Sequence, residues 1–308
     1  MIMKKDTLPP LDIKTISLAL DASPYSIAAL DEAVEVAYRL GAKLNAICVE
    51  DINMIRAASV PYAVTVSPYS IGAKMQPKLM DSLIKVQTKA AARALEYATR
   101  NKKVPGSLII KRGIIEKEVI KESEKSDILV LGWAGWQAAD FYFSNHPAAG
   151  QNRFNFPVSR IVKMGTSVRS IIKNVSVPTL VLHGRISDAC MLGVFFDDSK
   201  ASKENLSYSL RIFDHLFSYC KKGKDFSGIE VFITDKSLEP KAKDLLKLRQ
   251  DIKSKVTVLM ANDIHSSLLS HIKDKEINLL SLSKASSLVT ADDLRIFDRV
   301  ASSLLITV

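Results

Sequence analysis

The sequence predicts two doubly wound parallel α/β domains in tandem. Three observations lead there. Short apolar runs alternate with amphipathic helical segments along the chain, the pattern of strands joined by right-handed crossovers. Runs such as ILVL at 128–131 and VTVLM at 256–260 are largely apolar, which suits strands covered on both faces. The order of elements in the first half recurs, compressed, in the second. At 308 residues the chain has the length of two domains, with boundaries predicted at 1–185 and 186–308.

Thr15–Leu20 reads as the first strand. Ser23 and Pro24 follow as N-cap and first helical residue. Ile27, Leu30, Ala33, Val34, Ala37 and Leu40 recur at helical spacing, and Gly41 stops that helix. Leu44–Val49 is the second strand. Residues 50–76, with Pro61 and Pro68, show no clean period. A helix runs from Pro77 to about Thr99, followed by a strand at Ser107–Lys111, a short helix at Ile114–Lys125 and an apolar strand at Asp127–Leu131. Residues 132–157 are irregular and aromatic. Val158–Lys173 reads as helix and Val177–His183 as the fifth strand. In the second half, strands are expected at Cys190–Phe196, Ile229–Thr234, Val256–Met260, Ile277–Leu282 and Ser303–Val308. Helices are expected at Ser202–Tyr219, Pro240–Ile252, Asp263–Lys273 and Ala291–Val300. LALDASPYSIA at 18–28 and VFFDDSKASKE at 194–204 both place an aspartate at a strand end and a serine two residues later.

Composition narrows the function. Three isolated cysteines, Cys48, Cys190 and Cys220, argue against a disulfide framework and against paired-cysteine metal sites. No apolar run is long enough to span a membrane, and residues 1–20 do not read as a signal peptide, so a cytoplasmic protein without membrane insertion is expected. Most of the net charge of +10 lies in residues 1–184. The lysines are scattered, and no dense basic stripe or module for nucleic acid is present. The five histidines show no i,i+4 pair, and HExxH, GxSxG, GxxxxGK[ST] and a GxGxxG after the first strand are all absent. Glu50-Asp51 could hold a divalent ion or sit in a solvated loop.

Ligands of open α/β sheets bind beyond the carboxyl ends of the strands. Asp21-Ala22-Ser23, Val49-Glu50-Asp51 and Gly132-Trp133-Ala134-Gly135 reach that edge, and Gly165-Thr166-Ser167 lies at or near a helix start. Glycine there lets a backbone approach a phosphate, with amides and a helix N-terminus as donors. The chain has only 12 glycines, so these positions are informative.

The blocks ALDASPYSIAALDEAVEVAYRLGAKLNAICVED at 19–51, SDILVLGWAG at 126–135 and MGTSVRSIIKNVSVPTLVLHG at 164–184 resemble the universal stress protein family in its tandem, two-domain form. The resemblance implies the adenine nucleotide alpha hydrolase-like fold. It implies pairing of the fifth strands, here Val177–His183 with Ser303–Val308 as an intrachain pseudo-dimer, with a homodimer of such chains as a further level. ATP-binding members carry Gly-x2-Gly, nine residues, then Gly-Ser or Gly-Thr. Gly132, Gly135 and Gly165-Thr166 match, but with an interval of 29 residues. By this resemblance Asp21 and Val49 flank adenine and ribose, Gly132 faces the ribose, and Gly135, Gly165, Thr166 and Ser167 hold the phosphates of ATP or AMP, with Mg.

Within the long interval, residues 136–160 form an insertion carrying Phe141, Tyr142, Phe143, Phe154 and Phe156. Three readings of it stay open: a lid over the nucleotide, a cover for apolar surface, or a site for a hydrophobic ligand or an unidentified protein partner. In the second half, serines (Ser283, Ser286) replace the glycine pair, and Asp292 and Asp293 replace Gly-Thr. This half is expected not to bind ATP. The sequence therefore points to a stress-response or regulatory protein binding nucleotide in its first domain only. Hydrolysis would be slow, since no convincing nucleophile or base is present. The alternative is a protein-interaction module whose pocket the insertion fills or covers.

Overall fold

A computed structural model describes residues 8, 11–60, 64–67, 70–74, 76–135, 163–183, 186, 191–217, 228–290, 297–298 and 302–308. The chain forms two compact units. The first comprises residues 14–157 and 165–175, and the second residues 1–13, 158–164 and 176–308.

In the first unit β1 (Thr15–Ala19) leads into α1 (Pro24–Leu40), β2 (Lys43–Asp51), α2 (Ile52–Ala58), the hairpin β3 (Val64–Ser67) and β4 (Ser70–Lys74), α3 (Pro77–Lys102), β5 (Gly106–Gly113), α4 (Ile115–Ser123), β6 (Ile128–Gly132) and α5 (Thr166–Asn174). The strands lie in the order β6-β1-β2-β5, with every pairing parallel. The chain steps outward from β1 to β2 and β5, then crosses back to place β6 on the other side of β1. The order therefore reverses between β1 and β6. Asp127 Oδ2 fixes that pair at its start, accepting from Lys14 N at 2.8 Å and Thr15 N at 2.9 Å. Ile16, Leu18, Leu44, Leu129 and Val130 are fully buried, as a sheet with helices on both faces requires. Helix α1 ends at Gly41, whose φ of +65° suits a residue without a Cβ.

The second unit contains β7 (Thr179–Leu182), β8 (Met191–Phe196), α6 (Lys200–Phe217), β9 (Gly228–Ile233), α7 (Glu239–Leu246), β10 (Ser254–Val258), α8 (Ile264–Asp274), β11 (Leu279–Ser283), α9 (Ser287–Thr290) and β12 (Ser303–Thr307). Its order is β10-β9-β8-β11-β12-β7. The pairings are parallel up to β12. There β7 adds antiparallel, with Leu304 opposite Val181 and Ile306 opposite Thr179. The two fifth strands thus pair within one chain. For the same reason the compact units do not divide at the expected 185/186 boundary, because β7 groups with the strand it pairs with.

Several expectations change in detail. Residues 52–58 form a helix, and 64–67 pair with 70–74, where the sequence shows no clean period. The helix expected over 158–173 begins only at Thr166, because Gly165, with ψ 145°, is not helical; residues 158–162 lie outside the described residues. The helix expected at Pro240–Ile252 is α at 239–246 and tightens to 3-10 at 247–249. The helix expected at Ala291–Val300 falls mostly outside the described residues, as does the insertion 136–160.

A buried polar cluster ties α6 to the sheet of the second unit. The Asn205 side chain, fully buried, accepts from Ser281 Oγ at 2.7 Å and Thr307 Oγ1 at 2.9 Å, and Ser209 Oγ donates to Ser281 Oγ at 2.8 Å. Asn205→Ala would strand two buried hydroxyls and should cost about 1–3 kcal/mol in urea unfolding. Asn205→Asp, which keeps the acceptor, tests whether that acceptor is what matters.

Burial pushes the imidazole of His183 below the usual histidine range, with Asp298 opposing in part. A group depressed in this way costs nothing while both states are neutral. As pH falls through the unfolded value near 6.5, the unfolded state alone takes up the proton and stability drops. The unfolding free energy should therefore decline between pH 7.5 and 5.5, and His183→Gln should flatten that slope.

Candidate functional site

The site is built from the carboxyl ends of β1 and β6, where the strand order of the first unit reverses. Such a reversal leaves a crevice, because the crossovers on its two sides depart over opposite faces of the sheet.

At the end of β1 the chain turns through Ala22 in the left-handed region, φ +58°. That conformation lets Asp21 Oδ1 accept from Ser23 N at 2.9 Å. Ser23 then caps α1: its hydroxyl accepts from Ser26 N at 3.3 Å, and Ser26 Oγ donates to the Ser23 carbonyl at 3.1 Å. The second unit repeats this turn atom for atom. Asp198 has φ +65°, Asp197 Oδ1 accepts from Ser199 N at 3.0 Å, and Ser202 donates twice to Ser199, from Oγ to its carbonyl at 3.0 Å and from N to its Oγ at 3.1 Å. The shared signature is Asp-x-Ser-x-x-Ser. Sequence reading caught the aspartate and first serine but missed Ser26 and Ser202, which three-residue spacing after a cap would have revealed.

Ala19 lies in register with Ile47, so Asp21 and Val49, each two residues on, emerge at the same edge. Val49 is half-buried and sits opposite Lys111. Glu50 and Asp51 are engaged elsewhere: Glu50 Oε2 accepts from Arg112 Nε at 2.9 Å, and Asp51 caps α2 through Asn53 N. Burial, with Asp21 and Glu50 adding negative charge, pushes the Cys48 thiol up. Among the described residues no group of three or more His, Cys, Asp or Glu side chains is placed to hold a metal.

The glycine positions differ in what they do. A Cβ on Gly132 would lie 3.0 Å from the Tyr25 carbonyl carbon and oxygen and 3.2 Å from Ser26 N, so Gly132 lets β6 seat against the first turn of α1. A Cβ on Gly135 would come 3.1 Å from Asp21 Oδ2, which places Gly135 beside that carboxylate. Gly165 N donates to the Trp133 carbonyl at 3.0 Å. The 29-residue interval therefore closes: Gly165-Thr166 stands against the Gly132–Gly135 loop despite the insertion. A Cβ on Gly165 would meet nothing nearer than 3.5 Å, so packing alone does not demand glycine there.

Gly165 also starts α5 without a side-chain cap. The amides of the first turn, Thr166 to Val168, consequently have no helical acceptor and present partial positive charge. Thr166 is exposed at this end and Ser167 half-buried. The Ser167 hydroxyl, however, is already engaged: it donates to Glu116 Oε1 at 2.6 Å. Glu116 belongs to the first turn of α4 and was not singled out from sequence, since nothing local distinguishes it from Glu118.

The corresponding edge of the second unit is closed by its own polar groups. Ser283 Oγ accepts from Ala285 N at 3.2 Å and Ser286 Oγ from Leu288 N at 3.3 Å. Asp198 pairs with Lys203 at 2.9 Å and with Lys241.

An α/β sheet whose order reverses beside a helix N-terminus, followed by a second copy of the same winding, defines a tandem doubly wound α/β fold. Comparison with solved structures identifies the fold as that of the universal stress proteins. A universal stress protein from Archaeoglobus fulgidus superposes with a TM-score of 0.63 at 11% identity, covering 95% of this chain and 95% of that one. A candidate universal stress protein from Pseudomonas aeruginosa gives 0.57 at 10% identity over 96% and 93% of the two chains. A Pseudomonas aeruginosa protein of unknown function gives 0.55 at 9% identity over 96% and 92%. No family model and no curated protein matches the sequence.

The glycines can be told apart by stability. Gly132→Ala forces a methyl against backbone and should cost about 1–3 kcal/mol. Gly165→Ala has room and an ordinary φ, and should cost less than about 1 kcal/mol. Parallel urea titrations of the two variants check the contrast.

Proposed function

We propose that the first unit binds an adenine nucleotide, ATP or AMP with Mg, at the β1/β6 edge. On this reading the protein acts as a cytoplasmic stress-response or regulatory protein of the universal stress type. The observation that carries the proposal is the closure of the interrupted glycine motif by the Gly165–Trp133 backbone bond. It sets Gly165 and the first turn of α5 against the Trp133–Gly135 loop, with Gly135 beside Asp21. The residues fit the group at two positions: Gly135 and Gly165 both leave space that a Cβ would fill. In this arrangement Asp21 and Val49 flank the adenosine, and Gly132 is a packing glycine as well as a neighbour of the ribose. Gly135, Gly165, Thr166 and Ser167 face the phosphates. The proposal is one of binding; any ATP hydrolysis is expected to be slow.

A second reading is a protein-interaction module that binds no nucleotide. It draws on the Ser167–Glu116 contact, which engages one of the phosphate donors.

Mass spectrometry of purified, denatured protein should find co-purified adenine nucleotide, and added AMP or ATP–Mg should raise the melting temperature. Gly135→Val, which drives a branched side chain against Asp21, should abolish both. Absence of nucleotide together with no thermal shift would favour the interaction module. Binding that survives Gly135→Val would remove the glycine from the site.

A further inference from the structure

Glu116 places a carboxylate in the phosphate corner of this site. Its Oε1 accepts from the Ser167 hydroxyl at 2.6 Å, within the first turn of α5, where the free amides point. Glu116 is half-buried and is held by the Ser167 hydroxyl; no lysine or arginine pairs with it among the described residues. Several other carboxylates of this unit carry ion pairs. Glu122 is held by Lys111 and Lys125, and Glu50 and Asp81 by Arg112. Asp21, at the other side of Gly135, adds a second carboxylate to the same crevice. The corner thus combines anion-seeking amides with an uncompensated negative charge already seated beside them.

We propose that Glu116 is a specificity-determining residue, one that makes the site select adenine ligands with little or no phosphate charge, adenosine and AMP, over ATP. This rests on the nucleotide reading above. The mechanism is direct. A phosphate near Ser167 meets a like charge a few ångströms away in a partly water-excluded corner, where such repulsion is several times stronger than in bulk water. It also competes with Glu116 for the Ser167 proton, since a carboxylate and a phosphate oxygen are both acceptors. An uncharged nucleoside incurs neither penalty. Each added phosphate increases the repulsion, so affinity falls from adenosine through AMP to ATP. Removing the charge while keeping the shape should reverse the order, because the amides of α5 then face the phosphates unopposed.

The test is calorimetric titration of the full chain with adenosine, AMP and ATP, each with and without Mg, using wild type, Glu116→Gln, Glu116→Ala and Ser167→Ala. The wild type should bind adenosine at least as tightly as AMP, and both more tightly than ATP. Glu116→Gln should strengthen ATP binding about tenfold or more while leaving adenosine within about twofold. Glu116→Ala should act the same way and covers the case in which the glutamine variant fails to fold. Ser167→Ala keeps the carboxylate and should not improve ATP binding. If adenosine binds but wild type prefers ATP, or if neither Glu116 variant changes the preference, the role of Glu116 is overturned and the nucleotide reading stands. If none of the three ligands binds to wild type or to any variant, the nucleotide reading itself fails, and this inference with it.

Discussion

Everything at the carboxyl edge of the sheet follows from how the chain leaves the first strand of each unit. A parallel strand must hand over to a helix that runs back across the sheet, and here it does so through a single left-handed residue, Ala22 or Asp198. An L-residue in that region costs about 1–2 kcal/mol. The cost is offset by a compact set of hydrogen bonds: aspartate to the serine amide, serine to the helix amide three residues on, and the second serine back to the first carbonyl. That turn fixes where α1 starts, and α1 in turn sets how close β6 can come. Gly132, against the Tyr25 backbone, is the point of contact. Had the turn been looser, β6 would need no glycine there and the crevice between β1 and β6 would have another shape.

Most of the winding was legible because strands buried on both faces and helices buried on one leave different periods in a sequence. Helix α1, with its Ser23-Pro24 start and Gly41 stop, is read almost to the residue. What escaped reading has a physical reason in each case. Helix α2 buries only Ala58, so no apolar stripe marks it. The hairpin of β3 and β4 pairs only with itself, in a sheet of two strands. The start of α5 was placed too early because residues 158–164 are compatible with helix, while Gly165 sets the boundary through its backbone angle and its bond to Trp133. Asp21, Gly132, Gly135 and Gly165 could be found from sequence because glycine and aspartate at strand ends are distinctive. Glu116 could not, since its meaning comes from Ser167, 51 residues away.

The two units share a skeleton and diverge in chemistry. Both keep the aspartate turn, which starts the first helix of each unit in the same way. The first unit keeps glycine and an open helix start at the neighbouring loop. The second fills the same place with serines that satisfy their own backbone and with lysines that neutralise Asp198. A crevice whose polar groups already answer one another has little left to offer a charged ligand.

The antiparallel pairing of Thr179–Leu182 with Ser303–Thr307 also bears on synthesis. The His183 amide donates to Ser303 Oγ, 120 residues later, and the strand it follows finds its antiparallel partner only after β8 to β11 have been made. A chain emerging from its N-terminus can assemble the sheet around β1 early. It must then carry a short apolar strand lacking that partner while the second unit is produced. Closing contacts between such distant segments is slow. Ribosome pausing or truncation in residues 186–302 would therefore expose an apolar strand edge, so Ser303–Thr307 govern solubility out of proportion to their number.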